Sequence, residues 1–246
     1  MKLDGAVIWR GPSCLDGSPI VAIVTGISSA SANSKTGAMP QVWIIRADMH
    51  PVEALRDGSD SAICGACPHR PKLLGADALK KSSRSCYVNV MSFNGIYKKF
   101  IAGGYPEISA SDLGAMLTGK KVRLGAYGDP AAVPLGVWRD LCATCESTGY
   151  THQWRTCESG YREFCMASCD SPADVVSATA QGWRVFFVQR GAELVRQLEV
   201  VQGVKYLKLA SCPASKESGR VTTCSECMAC SGTRSGRKSN VAILLH

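Results

Sequence analysis

The chain has 246 residues, enough for one large domain or two small ones, and its 46% hydrophobic and 20% charged residues suit a protein that buries a core without disulfides. Its longest apolar runs, 19–24, 185–188 and 241–245, fall far short of the roughly 20 residues a membrane-spanning helix needs, and residues 1–13 lack the apolar core of a secretory signal, so a cytoplasmic protein with no membrane partner is expected. The net charge of +8 is scattered over pairs such as Lys80–Lys81, Lys98–Lys99 and Lys120–Lys121, which fits either a solvated surface or contact with nucleic acid.

Three short runs rich in Val and Ile open the chain, at 6–9, 20–25 and 42–46, with no long helix between them. They predict a β-rich part over 1–60. A strand is expected at 87–90 and a helix over 109–118, started by Ser109 and stopped by Gly119. Strand 122–126 runs into Gly128-Asp129-Pro130, a helix follows over 134–147, and strands are expected at 152–154 and 164–167. Ser171 as N-cap and Pro172 behind it open a helix that Gly182 ends. A strand at 185–188, a helix over 192–200, and strands at 207–210 and 241–245 complete the series. Alternation after Lys120 favours a parallel sheet with helical crossovers. The expected fold is α/β, one domain over 1–246. It is a complete or partial (β/α) barrel over 61–246 with the β-rich N-terminal extension and cysteine-rich metal-binding loops, an open α/β sheet being the alternative.

Thirteen cysteines are many for a cytosolic chain, whose thiols are kept reduced, and an odd number cannot pair off completely. Metal binding is the expected use. Cys224, Cys227 and Cys230 form C-x₂-C-x₂-C, and Cys212-Pro213 precedes them. Three cysteines each three apart wrap one face of a cubane, and bacterial ferredoxins complete such a cluster with a remote Cys beside Pro. A 4Fe-4S cluster is the first expectation for these four residues, and zinc the second. Cys64-Gly-Ala-Cys67-Pro-His69 is a knuckle, with Cys86 further on. Three cysteines would leave one iron of a second 4Fe-4S cluster open, whereas adding His69 would make a Cys₃His zinc site. Cys142, Cys145, Cys157, Cys165, Cys169 and Cys14 are expected to be mostly structural.

Strand ends in (β/α) folds carry the active site. Asp129 is expected there either to bind a substrate hydroxyl or amine or to cap the next turn. The polar, aromatic segment 149–155 (GYTHQWR) suits a ligand pocket, and Ser168 and Asp170 lie at another strand end. Asp129, His152 and Arg155 are therefore the candidate catalytic residues, and Asp129, Ser168 and Asp170 the candidate cofactor contacts, all expected on one rim. The chain carries no P-loop, G-x-S-x-G, H-E-x-x-H or G-x-G-x-x-G signature.

The tracts RLGAYGDPAAVP, GYTHQWR and CMASCDSP, then GWRVFFV and the closing cysteine-rich segment, resemble an uncharacterised family of phage and prophage proteins over most of the chain. A phage origin implies the host cytoplasm. More distantly, the three-cysteine set ending at Cys86-Tyr87, the alternation after it and the C-terminal cysteines resemble radical S-adenosylmethionine enzymes with (β/α) barrels. That resemblance implies an open cluster on Cys64, Cys67 and Cys86 and S-adenosylmethionine as a cofactor. The spacing departs from theirs: C-x₂-C-x₁₈-C replaces C-x₃-C-x₂-C, and Tyr127-Gly128-Asp129 stands in place of Gly-Gly-Glu.

Overall fold

The computed structural model describes residues 3–29, 34–191, 195–201, 205–215 and 218–245. In chain order the elements are β1 (Gly5–Pro12), β2 (Pro19–Thr25), β3 (Gln41–Arg46), α1 (Pro51–Asp57), α2 (Ser61–Cys64), α3 (Asn94–Ile101) and α4 (Ala110–Met116). Then follow β4 (Lys121–Tyr127), α5 (Leu135–Leu141), β5 (Glu146–Thr148), β6 (Tyr150–Thr151), β7 (Met166–Cys169) and α6 (Pro172–Ala180). The last are β8 (Val185–Gln189), β9 (Gln197–Val201), β10 (Lys205–Ser211), α7 (Cys224–Cys227) and β11 (Asn240–Leu244).

The fold is mixed α/β, with two parallel-rich sheets. One has the order β1-β2-β3-β4-β5, antiparallel through β1, β2 and β3 and parallel from β3 to β5. The other has the order β6-β7-β8-β11-β10-β9, parallel except for the edge pair of β9 with β10. The β-rich N-terminal part is therefore built into the first sheet, because β3 pairs with β4. β2 shows why a continuous apolar run was needed: Ile20, Val21, Ala22, Ile23 and Val24 are all wholly buried, as in a central strand covered on both faces. Each large side chain there contributes about 1.5–3 kcal/mol of burial.

Gly149 alone separates β5 from β6, so one extended segment leaves the first sheet and enters the second. Its N–H donates to Cys230 O, and its carbonyl accepts from Met166 N. A Cβ at this position would lie 3.1 Å from Cys165 Sγ and 3.2 Å from Leu124 Cβ, a close approach that glycine permits.

Several expected elements differ. The helix expected over 134–147 ends at Leu141, because residues 146–148 pair with β4. The helix expected over 192–200 is overturned at its C-terminal half, where Gln197–Val201 is strand β9; residues 192–194 lie outside the described residues. The run QLEVV alternates polar and apolar residues with period two, which suits an edge strand better than a helix turn. The segment 87–90 is no strand, and Val90–Phe93 is a 3₁₀ turn instead. Residues 152–154 follow β6 as a turn, and the strand expected at 164–167 is shifted to Met166–Cys169. No helix among the described residues is long and apolar enough to cross a membrane.

Candidate metal centre

Cys212 directly follows β10, and its N–H donates to Ala242 O in β11. Cys224 and Cys227 sit on the single turn of α7, which Thr223 opens with a capping box: its side chain accepts from Glu226 N, and Glu226 Oε2 accepts from Thr223 N at 2.8 Å. Cys224 N and Ser225 N donate to the carbonyls of Lys35 and Thr36, which tie this turn to the N-terminal part. Met228 then takes a left-handed conformation (φ 51°), the one non-glycine residue among those described to do so, and reverses the chain so that Cys230 returns beside the turn.

All four cysteines line one small cavity, together with Arg123, Thr148 and Tyr150. Burial pushes the Cys230 thiol up to about 12, and Cys212 and Cys224 add to the shift; burial also raises Cys212 and Cys224. Metal-free, these groups are neutral thiols that a metal would deprotonate. Burial opposes the Arg123 charge, its Nη2 donates to Tyr87 Oη at 3.0 Å, and ionisation of the surrounding Tyr87, Tyr150, Cys224 or Cys230 would favour the guanidinium. Thr148 Oγ1 is buried and has no hydrogen-bond partner among the described residues. A thiolate-bound cluster fits this lining: it carries negative charge for Arg123 and acceptor sulfur for a free hydroxyl.

The knuckle of Cys64 and Cys67 is held by a different set of contacts. Asp60, buried, pairs with Arg70 at 2.7 Å, and Arg70 also donates to the carbonyls of Gly58 and Gly65. Gly65 (φ 54°) turns the chain against Gln153, whose amide would lie 2.6 Å from a Cβ there. Gln153 in turn bridges Cys64 O and Ala66 N, and Asp129 N donates to Ile63 O. Cys86 N donates to His69 O, which brings the third cysteine alongside. Burial, then Asp60, Cys67 and Cys86, pushes the Cys64 thiol well up. Tyr127, on the same strand as Arg123, is pushed up by burial and by Cys64, Asp60 and Cys86, and its hydroxyl is also unpartnered among the described residues. Each cysteine set thus faces one orphaned hydroxyl.

Of the rim residues expected to act together, the structure joins Asp129, His152 and Asp170. Asp129 accepts from Ala131 N and from His152 N, so it both caps the turn over Pro130–Ala132 and positions the histidine. Burial lowers the His152 pKa, but Asp170 and Cys67 more than offset it and raise it to about 10. His69 places Nδ1 on Ser85 Oγ and Nε2 on Asp170, so both its nitrogens are engaged away from a Cys₃His arrangement. Arg155 stands apart, stacked over Trp154 at 4.0 Å and paired with Asp174 on α6. Ser168 is buried within β7, and its carbonyl accepts from Trp154 Nε1. Cys142, Cys145, Cys165 and Cys169 are buried in the main apolar core; Cys157 packs against it, and Cys14 is exposed.

Comparison with protein families, curated proteins and solved structures gave no match to this chain. Among the described residues, the one group of three His, Cys, Asp or Glu donor atoms within 4.8 Å of one another is His69, His152 and Asp170; the two cysteine sets are brought together by cavity lining and backbone contacts. Arg123 and Thr148 carry no motif in the sequence, and Tyr127 and Tyr150 lie in segments marked there for other reasons. Arg123 and Tyr127 sit in the largely apolar strand β4, whereas Thr148 belongs to the wholly polar Glu146–Thr148.

Proposed function

We propose that the chain is an iron–sulfur protein of phage type, in which Cys212, Cys224, Cys227 and Cys230 hold a closed 4Fe-4S cluster. Cys64, Cys67 and Cys86 hold a second cluster with one open iron position. The observation that carries this reading is the cavity lined by all four C-terminal cysteines together with Arg123 and the free Thr148 hydroxyl. The parallel strands β3, β4, β5–β6, β7, β8 and β11 serve as part of an open (β/α) barrel, and the knuckle is tied to the C-terminal ends of β4 and β6 through Asp129 and Gln153, where such folds place their chemistry.

An open cluster supplies one-electron chemistry, with S-adenosylmethionine as the co-substrate in a degenerate radical enzyme acting on a small molecule or a nucleic acid. The chain's own contribution is positioning. Asp129 fixes His152, Gln153 fixes the knuckle, and Asp170 orients both histidines at the rim. Anaerobic purification tests the reading. The expected product is brown, with broad absorbance near roughly 400 nm from thiolate-bound iron and about eight iron atoms per chain. Colourless protein with stoichiometric zinc overturns it.

The second reading is a zinc-stabilised protein without catalysis that binds nucleic acid or serves as a structural phage component. The exposed pairs Lys80–Lys81 and Lys98–Lys99 favour it, whereas Lys121 and Arg234 are committed to carbonyl oxygens. Its nucleic-acid form requires affinity that falls steeply with salt, and its structural form loss of folding on chelation with no ligand bound.

A further inference from the structure

His69, His152 and Asp170 come from three separate segments and meet beyond the ends of β6 and β7. Asp170 offers one oxygen to each ring: Oδ1 lies 2.8 Å from His69 Nε2, and Oδ2 lies 3.3 Å from His152 Nε2. One donor atom from each residue falls within 4.8 Å of the other two. Small side-chain adjustments bring such a set onto one ion with bonds of about 2.0–2.2 Å.

The supports of the two rings are those of metal ligands. His69 Nδ1 is engaged by Ser85 Oγ at 2.7 Å, which leaves Nε2 to face the carboxylate. Metal-bound imidazoles usually have their second nitrogen tied in this way. His152 is anchored by its backbone N–H on Asp129 Oδ2. Its Nε2 is buried and makes no aligned hydrogen bond; it meets Asp170 only at ion-pair distance. A network built for hydrogen bonding alone would align that N–H with the carboxylate. The two rings stand 5.4 Å apart, edge to face, as two imidazoles converging on one point do.

We propose that His69 Nε2, His152 Nε2 and Asp170 hold one divalent transition-metal ion of the zinc or ferrous class. Its three ligands belong to neither cysteine set, although the site adjoins Cys67 of the N-terminal one. Two imidazoles and one carboxylate suit those ions and leave at least one position open to water or an oxygen-bearing ligand. Cys67, whose thiol lies against His152, is the neighbouring donor.

The test is titration of the full chain, as purified, with Co²⁺ as the probe. Wild-type protein is expected to take up one equivalent with the weak visible bands of nitrogen–oxygen coordination and without the intense sulfur-to-cobalt absorption of a thiolate site. Asp170→Asn and His69→Gln each weaken that binding by at least 100-fold, and Ser85→Ala by about 10-fold. His69→Gln and Ser85→Ala carry the test if Asp170→Asn does not fold, as judged by circular dichroism. Wild-type cobalt binding in Asp170→Asn or His69→Gln overturns the proposal, as does wild-type protein that binds cobalt only through sulfur. Colourless protein that still binds Co²⁺ in this way would sink the cluster reading alone, so the two fail separately.

Discussion

Asp129 Oδ2 accepts a hydrogen bond from the backbone N–H of His152 at 2.8 Å, so the turn after β4 fixes the residue that follows β6. The other oxygen of the same carboxylate caps the turn over Pro130–Ala132. One buried side chain thus ties together the ends of strands from two different sheets. Asp129→Ala strands two buried N–H groups and is expected to lower the unfolding free energy by about 3 kcal/mol. Asp129→Asn, which keeps one acceptor oxygen, loses about half of that. Urea titration of the two variants checks both values and their order.

The two classes of cysteine are expected to separate cleanly on iron content. Cys227→Ser removes a ligand from the four-cysteine cavity and should cost the protein about four iron atoms per chain. Cys165→Ala, in the apolar core, costs about 1–2 kcal/mol of stability and no iron. Iron analysis beside thermal unfolding gives both results from one preparation, and equal iron loss in the two variants would contradict the assignment.

Arg123 is the buried positive charge at the four-cysteine wall. Arg123→Met should make the cluster harder to reduce, because reduction adds negative charge. The midpoint falls by about 60 mV for each 1.4 kcal/mol of attraction removed. Potentiometric titration reads the shift directly; an unchanged or raised potential would show that Arg123 does not face the cluster.

Arg70→Met leaves the Asp60 carboxylate buried without its partner and frees the carbonyls of Gly58 and Gly65. The cost is about 3 kcal/mol, the usual consequence of breaking a buried pair on one side. Iron bound by Cys64, Cys67 and Cys86 should be lost in this variant while that of the C-terminal set is kept.

Metal removal should act on folding itself. The four-cysteine cavity is lined by the four-residue helix α7 and the loop residues Cys212–Ala214 and Met228–Cys230, elements too short to hold their shape alone. Chelation is expected to lower the melting temperature by at least 10 °C, and reloading should restore it.

The sequence carried the strand framework well where a strand is buried on both faces. Ile20–Val24, Val122, Leu124, Val185 and Phe187 are apolar for the reason that the sheets and their covering elements bury them. The helices with an explicit N-cap, Ser109 and Ser171, lie where their caps place them. Edge and switching segments were not legible. Glu146–Thr148 is strand because β4 offers it a partner, and that partnership is tertiary. The same limit applied to the site. Spacing alone marks Cys224, Cys227 and Cys230, whereas the meeting of His69 with Asp170 depends on a fold that joins residues 101 positions apart.

β11 lies between β8 and β10, so the final strand of the described chain is a central strand of the second sheet. Cys212 donates its N–H to Ala242 on that strand. During synthesis, β8 and β10 therefore wait side by side with a gap until residues 240–244 leave the ribosome. The four-cysteine cavity has no fixed wall before then. Any group these four cysteines hold would be walled in only once residues 240–244 have emerged, and a ribosome stalled before residue 240 leaves a chain with an open sheet and unprotected thiols, a natural substrate for proteolysis.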